Sequence, residues 1–191
     1  MKILPLITNK GLQMSGTLLI SSSVFVDDRG FFMESWNQEK FNSYLGQNTS
    51  FVQDNHSQSV LGVLRGLHYQ LPPKAQGKLV RCVVGEIFDV AVDLRRESKT
   101  FCQWVGVHLG SENKHQLWIP PGFAHGFLSL TDSVEIIYKV TDYWNRSSER
   151  SIRWDDPTLN ISWPKISEDL IISDKDSKAK IISTMNNNDF F

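Results

Sequence analysis

Proton carriers and cations lie within two strand-like segments of the sequence. His68 and Lys78 occur on either side of the Pro-Pro break in GVLRGLHYQLPPKAQGKLVRC, and His125 lies in the Pro-Gly loop of LWIPPGFAHGF. Imidazole can take up and return a proton near neutral pH. A lysine ammonium can stabilise the negative charge that develops on a ketone oxygen when a neighbouring proton leaves. These residue types predict a small-molecule site for proton transfer, with a purely structural histidine as the competing interpretation.

Inversion of a carbon centre also requires an acid on the face opposite the base. Tyr138, in SVEIIYKV, is the candidate for this role. The competing interpretation is a core tyrosine, since Val134, Ile136 and Val140 share its face of the strand. In a barrel that face surrounds the cavity, so both interpretations remain open from the sequence.

A metal centre is the main alternative chemistry. The segments around His68 and His125 are similar to the two cupin motifs, in which metal-binding members carry a second histidine and a carboxylate. Here Gln70 stands at the place of that histidine, and Lys74 and Ala75 stand where the carboxylate would be. Two imidazoles and an amide are a poor ligand set for Fe, Mn or Zn. We therefore predict a site with no metal and no other cofactor.

The elements that must position these residues are mostly strands. Short β-like runs separated by Gly, Pro, Asn and Asp are typical of an all-β sandwich or barrel. EIFDVAVDLR alternates apolar with mixed positions, which predicts a strand with one buried face. NQEKFNSYLG predicts a short helix, and SEDLIISDKDSKAK could hold a final helical turn. Strict alternation places Arg65 and His68 on opposite faces, so a bulge at Gly66 is expected if both reach one ligand.

Length and composition predict one globular domain spanning residues 1–191. The chain is 40% hydrophobic and 11% aromatic, and its net charge of -1 gives no global attraction to nucleic acid or to a membrane. About residues 1–17 form an N-terminal segment without signal-peptide features, and about residues 179–191 form a polar tail that we expect to be loose. No apolar run is long enough to span a bilayer, so we expect a cytoplasmic location.

The chain resembles the dTDP-4-dehydrorhamnose 3,5-epimerase family over about residues 18–178. The matching segments occur in order and at family spacing: DDRGFFMESW, QDNHSQS, GVLRGLHYQLPP, QGKLVRCVVGEIFDVAVDLR, LWIPPGFAHGF, YKVTDYW and RWDDPTLNISWP. The resemblance implies a cupin-type jelly-roll barrel with a few short peripheral helices, a homodimer and no metal. It also implies dTDP-4-dehydro-6-deoxy-D-glucose as the substrate, on the path to dTDP-L-rhamnose.

Residue by residue, the resemblance implies His68 as the base, Tyr138 as the acid and Lys78 as the cation near the sugar ketone. An aspartate of SDKD would orient the base; Asp176 fits the motif best and Asp174 is the alternative. The other matched positions resemble contacts to the sugar or the nucleotide, some of them reaching across the dimer: Phe25, Arg29, Phe32, Glu34, Gln53, Asn55, Arg65, His125, Trp144, Glu149 and Lys175.

One matched position departs from the family. Many members have tyrosine where this chain has Trp144, which leaves room for a related substrate. The closest alternative function is therefore a mono-epimerase of the same fold, acting at C3 or C5 only, because it needs the same base and acid. A metal-dependent cupin oxygenase and a non-catalytic sugar-binding jelly roll are the alternatives from other classes.

Overall fold

The computed structural model describes residues 2–191, which form two facing β-sheets, a separate hairpin and two helices. The strands are β1 (Lys2–Leu4), β2 (Leu18–Ser21), β3 (Val24–Asp27), β4 (Gly30–Met33), β5 (Gln53–Ser59), β6 (Val63–Gln70), β7 (Lys78–Val84), β8 (Glu86–Asp93), β9 (Trp104–Gly110), β10 (Gln116–Ile119), β11 (Phe123–Ser129), β12 (Val134–Val140), β13 (Glu149–Ser151) and β14 (Ile171–Ile172). The helices are α1 (Gln38–Leu45) and α2 (Asp174–Ser177), and 3-10 turns occupy Ile182–Thr184 and Asn187–Asp189. The predicted all-β class is confirmed, as are the short helix and the final helical turn.

The sheet order brings together strands that are distant in the sequence. The first sheet has the order β1-β2-β10-β7-β12-β5, and the second has the order β13-β6-β11-β8-β9, with β14 parallel to β6. Among the described residues, strands β3 and β4 pair only with each other. Within residues 2–191, no helix is long and apolar enough to cross a membrane.

A hydrophobic core fills much of the space between the two sheets. Val80 and Ile136 of the first sheet pack there with Ile87, Ala91 and Phe127 of the second. Helix α1 covers the outer face of the first sheet through a separate aromatic cluster. The helix begins after an asparagine whose side chain accepts a hydrogen bond from the first turn, and it ends at a glycine in the left-handed conformation.

The expectation that EIFDVAVDLR forms a half-buried strand is wrong. From residue 87 to 93, every residue of β8 is buried. One face points into the core between the sheets, and the face that carries Phe88, Val90 and Val92 is covered by residues from the C-terminal part of the chain. Alternation separated the two faces, but it left to solvent the mixed face with Ile87 and Ala91, which points into the core between the sheets.

The expectation of a loose C-terminal tail is also wrong. Phe190 and Phe191 pack against the outer face of the second sheet. The backbone of Phe191 exchanges hydrogen bonds with the segment that follows β8, accepting from Arg96 N at 3.0 Å and donating to Leu94 O at 3.2 Å. Two C-terminal aromatic residues therefore dock a segment whose other residues are mostly polar.

A bulge at Gly66 lets one strand present both Arg65 and His68 to the same space. In the β6–β11 pairing, His68 lies opposite His125 and Arg65 lies opposite Phe127, so β6 has one extra residue between the paired positions. Gly66 has φ +115°, and a Cβ there would lie 2.6 Å from Gly126 Cα. Only glycine fits this conformation and this close approach without strain.

Candidate active site

Two adjoining cavities between the sheets contain eleven of the fifteen residues predicted for the site. The larger cavity, of about 500 Å³, is lined by Arg65, His68, Lys78, His125, Tyr138, Lys175 and Asp176. The smaller, of about 270 Å³, is lined by Gln53, Asn55, Trp144 and Glu149. His68, Lys78 and Tyr138 border both cavities. A single ligand that spans the two would therefore meet the three central residues in its middle.

His68 is held by a buried carboxylate. Its Nε2 lies 2.6 Å from Asp176 Oδ1, and the other oxygen of Asp176 accepts a hydrogen bond from Gly66 N at 3.1 Å. Strand β14 runs parallel to β6 and leads into α2, which sets Asp176 beside His68. The backbone N–H of Asp176 is capped by the Ser173 hydroxyl. Asp174, the alternative predicted from the sequence, instead pairs with Lys178 on the surface.

The pairing with Asp176 defines which nitrogen of His68 can accept a proton. Burial raises the pKa of Asp176, but hydrogen bonds from His68, Gly66 and Ser173 outweigh burial and hold the pKa below its usual value. The carboxylate is therefore ionised near neutral pH and can only accept hydrogen bonds. His68 must donate from Nε2, which leaves Nδ1 of the neutral ring as the basic atom.

Lys78 and Tyr138 lie on the sheet opposite His68. They belong to β7 and β12 of the first sheet, whereas His68 belongs to β6 of the second. Lys78 spans the space between the sheets, donating from Nζ to the backbone oxygen of His68 at 3.2 Å. Burial lowers the pKa of Lys78 to about 8, against the opposing charges of Asp89 and Glu149. Burial raises the pKa of Tyr138, so its phenol stays protonated at neutral pH.

A second histidine–aspartate pair borders the larger cavity through His125. His125 Nε2 is 2.6 Å from Asp89 Oδ1, and both side chains are almost fully buried. Burial lowers the pKa of His125, although Asp89 acts in the opposite direction. Asp89 was not predicted as a site residue. The sequence could have indicated it, because Asp89 is a charged residue on the strand face that it shares with the apolar Ile87 and Ala91.

Charged residues also border the two cavities at their edges. Lys175 Nζ pairs with Glu149 Oε2 at 2.7 Å, which connects α2 with β13. Arg65 donates to Ser59 Oγ and to Gln58 O, and its side chain remains exposed. Two cations, Arg65 and Lys175, therefore lie at the larger cavity with solvent access, as binding of an anionic ligand requires.

Four of the predicted residues lie outside both cavities of their own chain. Phe25, Arg29 and Phe32 belong to the β3–β4 hairpin, and Glu34 follows it. Phe25 and Phe32 are paired across the hairpin on one face, and they are 65% and 71% exposed. Arg29 pairs with Asp27, and Glu34 pairs with Lys40. The fold therefore does not bring these four residues to the site within one chain.

The residue at the expected metal-ligand position is engaged elsewhere. Gln70 Nε2 donates to the backbone oxygen of Lys74 at 2.6 Å, and Gln70 Oε1 accepts from Asn145 N at 2.7 Å. Within residues 2–191, no three His, Cys, Asp or Glu side chains are grouped to hold a metal ion. The amide of Gln70 fixes loop backbone at the rim of the smaller cavity.

Comparison with solved structures shows to which class of protein this fold belongs. A structure from Legionella pneumophila, a dTDP-6-deoxy-D-glucose-3,5-epimerase in complex with dTDP-4-keto-L-rhamnose, superimposes with a TM-score of 0.90 at 45% identity, covering 99% of this chain and 97% of that one. The expected cupin-type jelly roll is therefore confirmed, and the class is that of the jelly-roll sugar epimerases.

Sequence comparison then gives the family. The family described as dTDP-4-dehydrorhamnose 3,5-epimerase matches residues 11–184. A member from Shigella flexneri is 57% identical over 164 residues, covering 86% of this chain and 90% of the relative. One from Pseudomonas aeruginosa is 56% identical over 169 residues, covering 88% and 92%. The chain belongs to the dTDP-4-dehydrorhamnose 3,5-epimerase family, and the resemblance found in the sequence is confirmed.

Proposed function

We propose that this chain inverts C3 and C5 of dTDP-4-dehydro-6-deoxy-D-glucose to give dTDP-4-dehydro-L-rhamnose, with His68 as the base and Tyr138 as the acid. The family and its named relatives support the reaction. One observation supports the residue roles: a histidine held by a buried carboxylate on one sheet and a protonated tyrosine on the opposite sheet border the same cavities. A sugar ring between the sheets would present one face to each residue.

The first step is proton abstraction beside the C4 ketone. His68 Nδ1 takes the proton, the electrons of the broken C–H bond form a carbon–carbon double bond, and the carbonyl electrons move to the C4 oxygen. The imidazolium that forms is stabilised by Asp176. The Lys78 ammonium would stabilise the enolate oxygen, because enolate charge is concentrated there.

The second step returns a proton to the other face. Tyr138 donates its phenolic proton to the carbon, the double bond moves back to restore the ketone, and the stereocentre is inverted. The imidazolium and the phenolate then return to their starting states by proton exchange with solvent. C3 and C5 flank the same ketone, so one base and one acid serve both centres when the ring shifts in the cavity. Neither step requires an electron acceptor or a metal.

We further propose that two copies associate and that the hairpin of one reaches the cavities of the other. The exposed Phe25, Phe32 and Arg29 do not border the cavities of their own chain. The family resemblance nevertheless implies that residues at these positions contact the nucleotide. A mixing experiment tests this arrangement. Arg29→Ala chains, expected to be weakly active, and His68→Asn chains, expected to be inactive, should recover activity when exchanged together, because about one quarter of the sites in a mixed dimer population are intact. Contacts made within one chain would give no recovery.

The residue roles are tested by following isotope exchange and inversion together. NMR of dTDP-4-keto-6-deoxyglucose with the protein in D₂O should show deuterium entering both C3 and C5. Exchange at one position would instead identify the mono-epimerase, and exchange at neither would refute the activity. His68→Asn should abolish both exchange and product formation.

Tyr138→Phe separates the acid from a core tyrosine. This variant keeps the ring but lacks the ionisable hydroxyl, so the enolate should form and be reprotonated mainly from the His68 side. Exchange should therefore continue while inversion slows far more. Tyr44→Phe, on α1 outside the cavities, is the matched control. Nearly wild-type rates of both processes in Tyr138→Phe would remove Tyr138 from the mechanism.

A further inference from the structure

The last six residues contact the catalytic strand from the face opposite the cavities. Residues 186–191, here called the C-terminal clamp, lie beyond the part of the chain that the family description matches, which ends at residue 184. The Tyr69 hydroxyl donates to the backbone oxygen of Asp189 at 2.6 Å, and the ring of Phe191 lies 6.2 Å from that of Tyr69. Tyr69 immediately follows His68 on β6.

The same clamp residue also contacts the neighbouring strand. Asp189 Oδ1 accepts from Arg150 Nε at 3.4 Å, and Arg150 lies opposite Tyr69 in the β6–β13 pairing. Arg150 immediately follows Glu149, which lines the smaller cavity. Asp189 is thus bonded to the sequence neighbours of two cavity residues.

The clamp is itself firmly attached. Asp189 is buried, and its second carboxylate oxygen accepts from Asn186 N in a capping box. The Phe191 backbone is bonded to Leu94 and Arg96, which follow β8, and the Phe190 ring packs on the Arg96 guanidinium at 4.8 Å. A segment fixed there can hold β6 and β13 in place from behind.

We propose that the C-terminal clamp positions His68 and Glu149 through Tyr69 and Arg150. Atoms of Tyr69 border the smaller cavity, but its ring packs in the outer cluster, so the contact with the clamp determines where this part of β6 lies. A displacement of β6 would lengthen the hydrogen bond between His68 and Asp176, because Asp176 is carried by a different element, α2. This inference rests on the proposed role of His68 as the base.

The test compares two clamp variants with two controls. The first variant ends at Met185, and the second is Tyr69→Phe, which removes only the hydroxyl. Val105→Ala, in the core at β9, lowers the melting temperature without touching the clamp, and Asn188→Ala changes an exposed clamp side chain. All are assayed well below their melting temperatures for kcat, KM, the pH dependence of kcat, and the low-field proton resonance of the His68–Asp176 hydrogen bond, assigned by its loss in Asp176→Asn.

We expect the shortened chain to lose up to about 10²-fold in kcat, since a misplacement of about 1 Å can cost that much. Tyr69→Phe should lose less. In both variants we expect a shift in the acidic part of the pH dependence of kcat and in the low-field resonance of the His68–Asp176 hydrogen bond. The two controls should keep the wild-type pH dependence and resonance. A lower melting temperature with unchanged kcat, pH profile and resonance would overturn the proposal. If the shortened chain does not fold, Tyr69→Phe decides alone. If wild-type protein shows no exchange into substrate, the proposed function fails, and the resonance still reports whether the clamp positions His68.

Discussion

Replacement of Asp176 by asparagine tests the central contact of the site. The substitution keeps the shape of the side chain but removes the charge that lies 2.6 Å from His68 Nε2. A carboxylate accepts from His68 and from Gly66 N together, whereas an amide has one accepting oxygen. If that oxygen keeps Gly66 N, the amide NH₂ faces His68 and favours the tautomer with its proton on Nδ1. Nδ1, the atom that faces away from residue 176, then carries the proton and has no free lone pair with which to act as a base.

The size of the effect follows from the charge on the imidazolium. For two unit charges about 4 Å apart at an effective dielectric constant of about 20, the interaction is about 4 kcal/mol. This energy corresponds to about a thousand-fold in rate. General acid–base contributions of about 10²–10⁴-fold include this value. We therefore expect Asp176→Asn to slow both deuterium exchange and inversion by about 10³-fold, with the fold intact.

Asp174→Asn is the matched control, because Asp174 is two residues away on α2 and its side chain is 94% exposed. Exchange and inversion are followed by NMR in D₂O, and unfolding is followed for both variants. A loss of less than about ten-fold in Asp176→Asn, well under the usual general-base contribution, would refute the reasoning. An equal loss in Asp174→Asn would refute it as well.

The same carboxylate makes a prediction for stability against pH. The folded-state pKa of Asp176 lies below its ordinary value of 3.8, so its contribution to the free energy of unfolding is fully present above that value. The contribution is lost as the pH falls through the folded-state pKa, where the folded protein also takes up the proton. The stability difference between wild type and Asp176→Asn should therefore be constant near neutral pH and shrink in acid. A difference that grows in acid would contradict the assignment.

Three further perturbations test other parts of the site. Gly66→Ala should lower the free energy of unfolding by about 1–3 kcal/mol in chemical denaturation, because its Cβ would lie 2.6 Å from Gly126 Cα. Gly11→Ala is the control, since Gly11 is also at positive φ but has nothing within 4 Å, and it should lower the free energy of unfolding by less. Equal losses in the two variants would show that the close approach is unimportant. The rate should fall as the pH rises through about 8, where the buried Lys78 loses its proton. Lys78→Met should remove this pH dependence together with most of the activity. An unchanged fall of the rate near pH 8 in the variant would assign it to another group. Activity should survive exhaustive chelation, since the amide of Gln70 is committed to backbone groups, and loss with rescue by one divalent ion would contradict the metal-free site.

Local sequence patterns predicted the strands and four of the eleven cavity residues, and the family resemblance supplied the other seven. Alternation set Tyr138 on an inward face, and the conflict between Arg65 and His68 correctly indicated a bulge at Gly66. Both inferences depend only on the period of a strand and on the conformational freedom of glycine, which are local properties. The two interpretations of Tyr138 also turn out to be compatible in structure, since it packs against the core and borders the cavities.

Long-range contacts account for what the sequence did not predict. Both faces of β8 are buried, the apolar one under residues about seventy positions later and the mixed one against the opposite sheet. No local pattern reports the second burial. The tail looked loose because its composition is polar, yet two phenylalanines and one buried aspartate suffice to dock it. The family resemblance gave the hairpin residues a role but could not show that the fold of one chain leaves them away from the cavities.

The two facing sheets provide the geometry that the proposed inversion requires. Inversion needs a base and an acid on opposite sides of a ring, and the charge that develops between them must be stabilised without water. One sheet carries His68 with its buried aspartate partner, and the other carries Tyr138 and Lys78. Burial acts on these groups in opposite ways: it keeps the phenol of Tyr138 protonated and lowers the pKa of Lys78 towards neutrality. Burial and one carboxylate thus set the protonation of the groups proposed as acid, base and cation. In the proposed mechanism the ketone of the substrate is the only electron sink that the reaction requires.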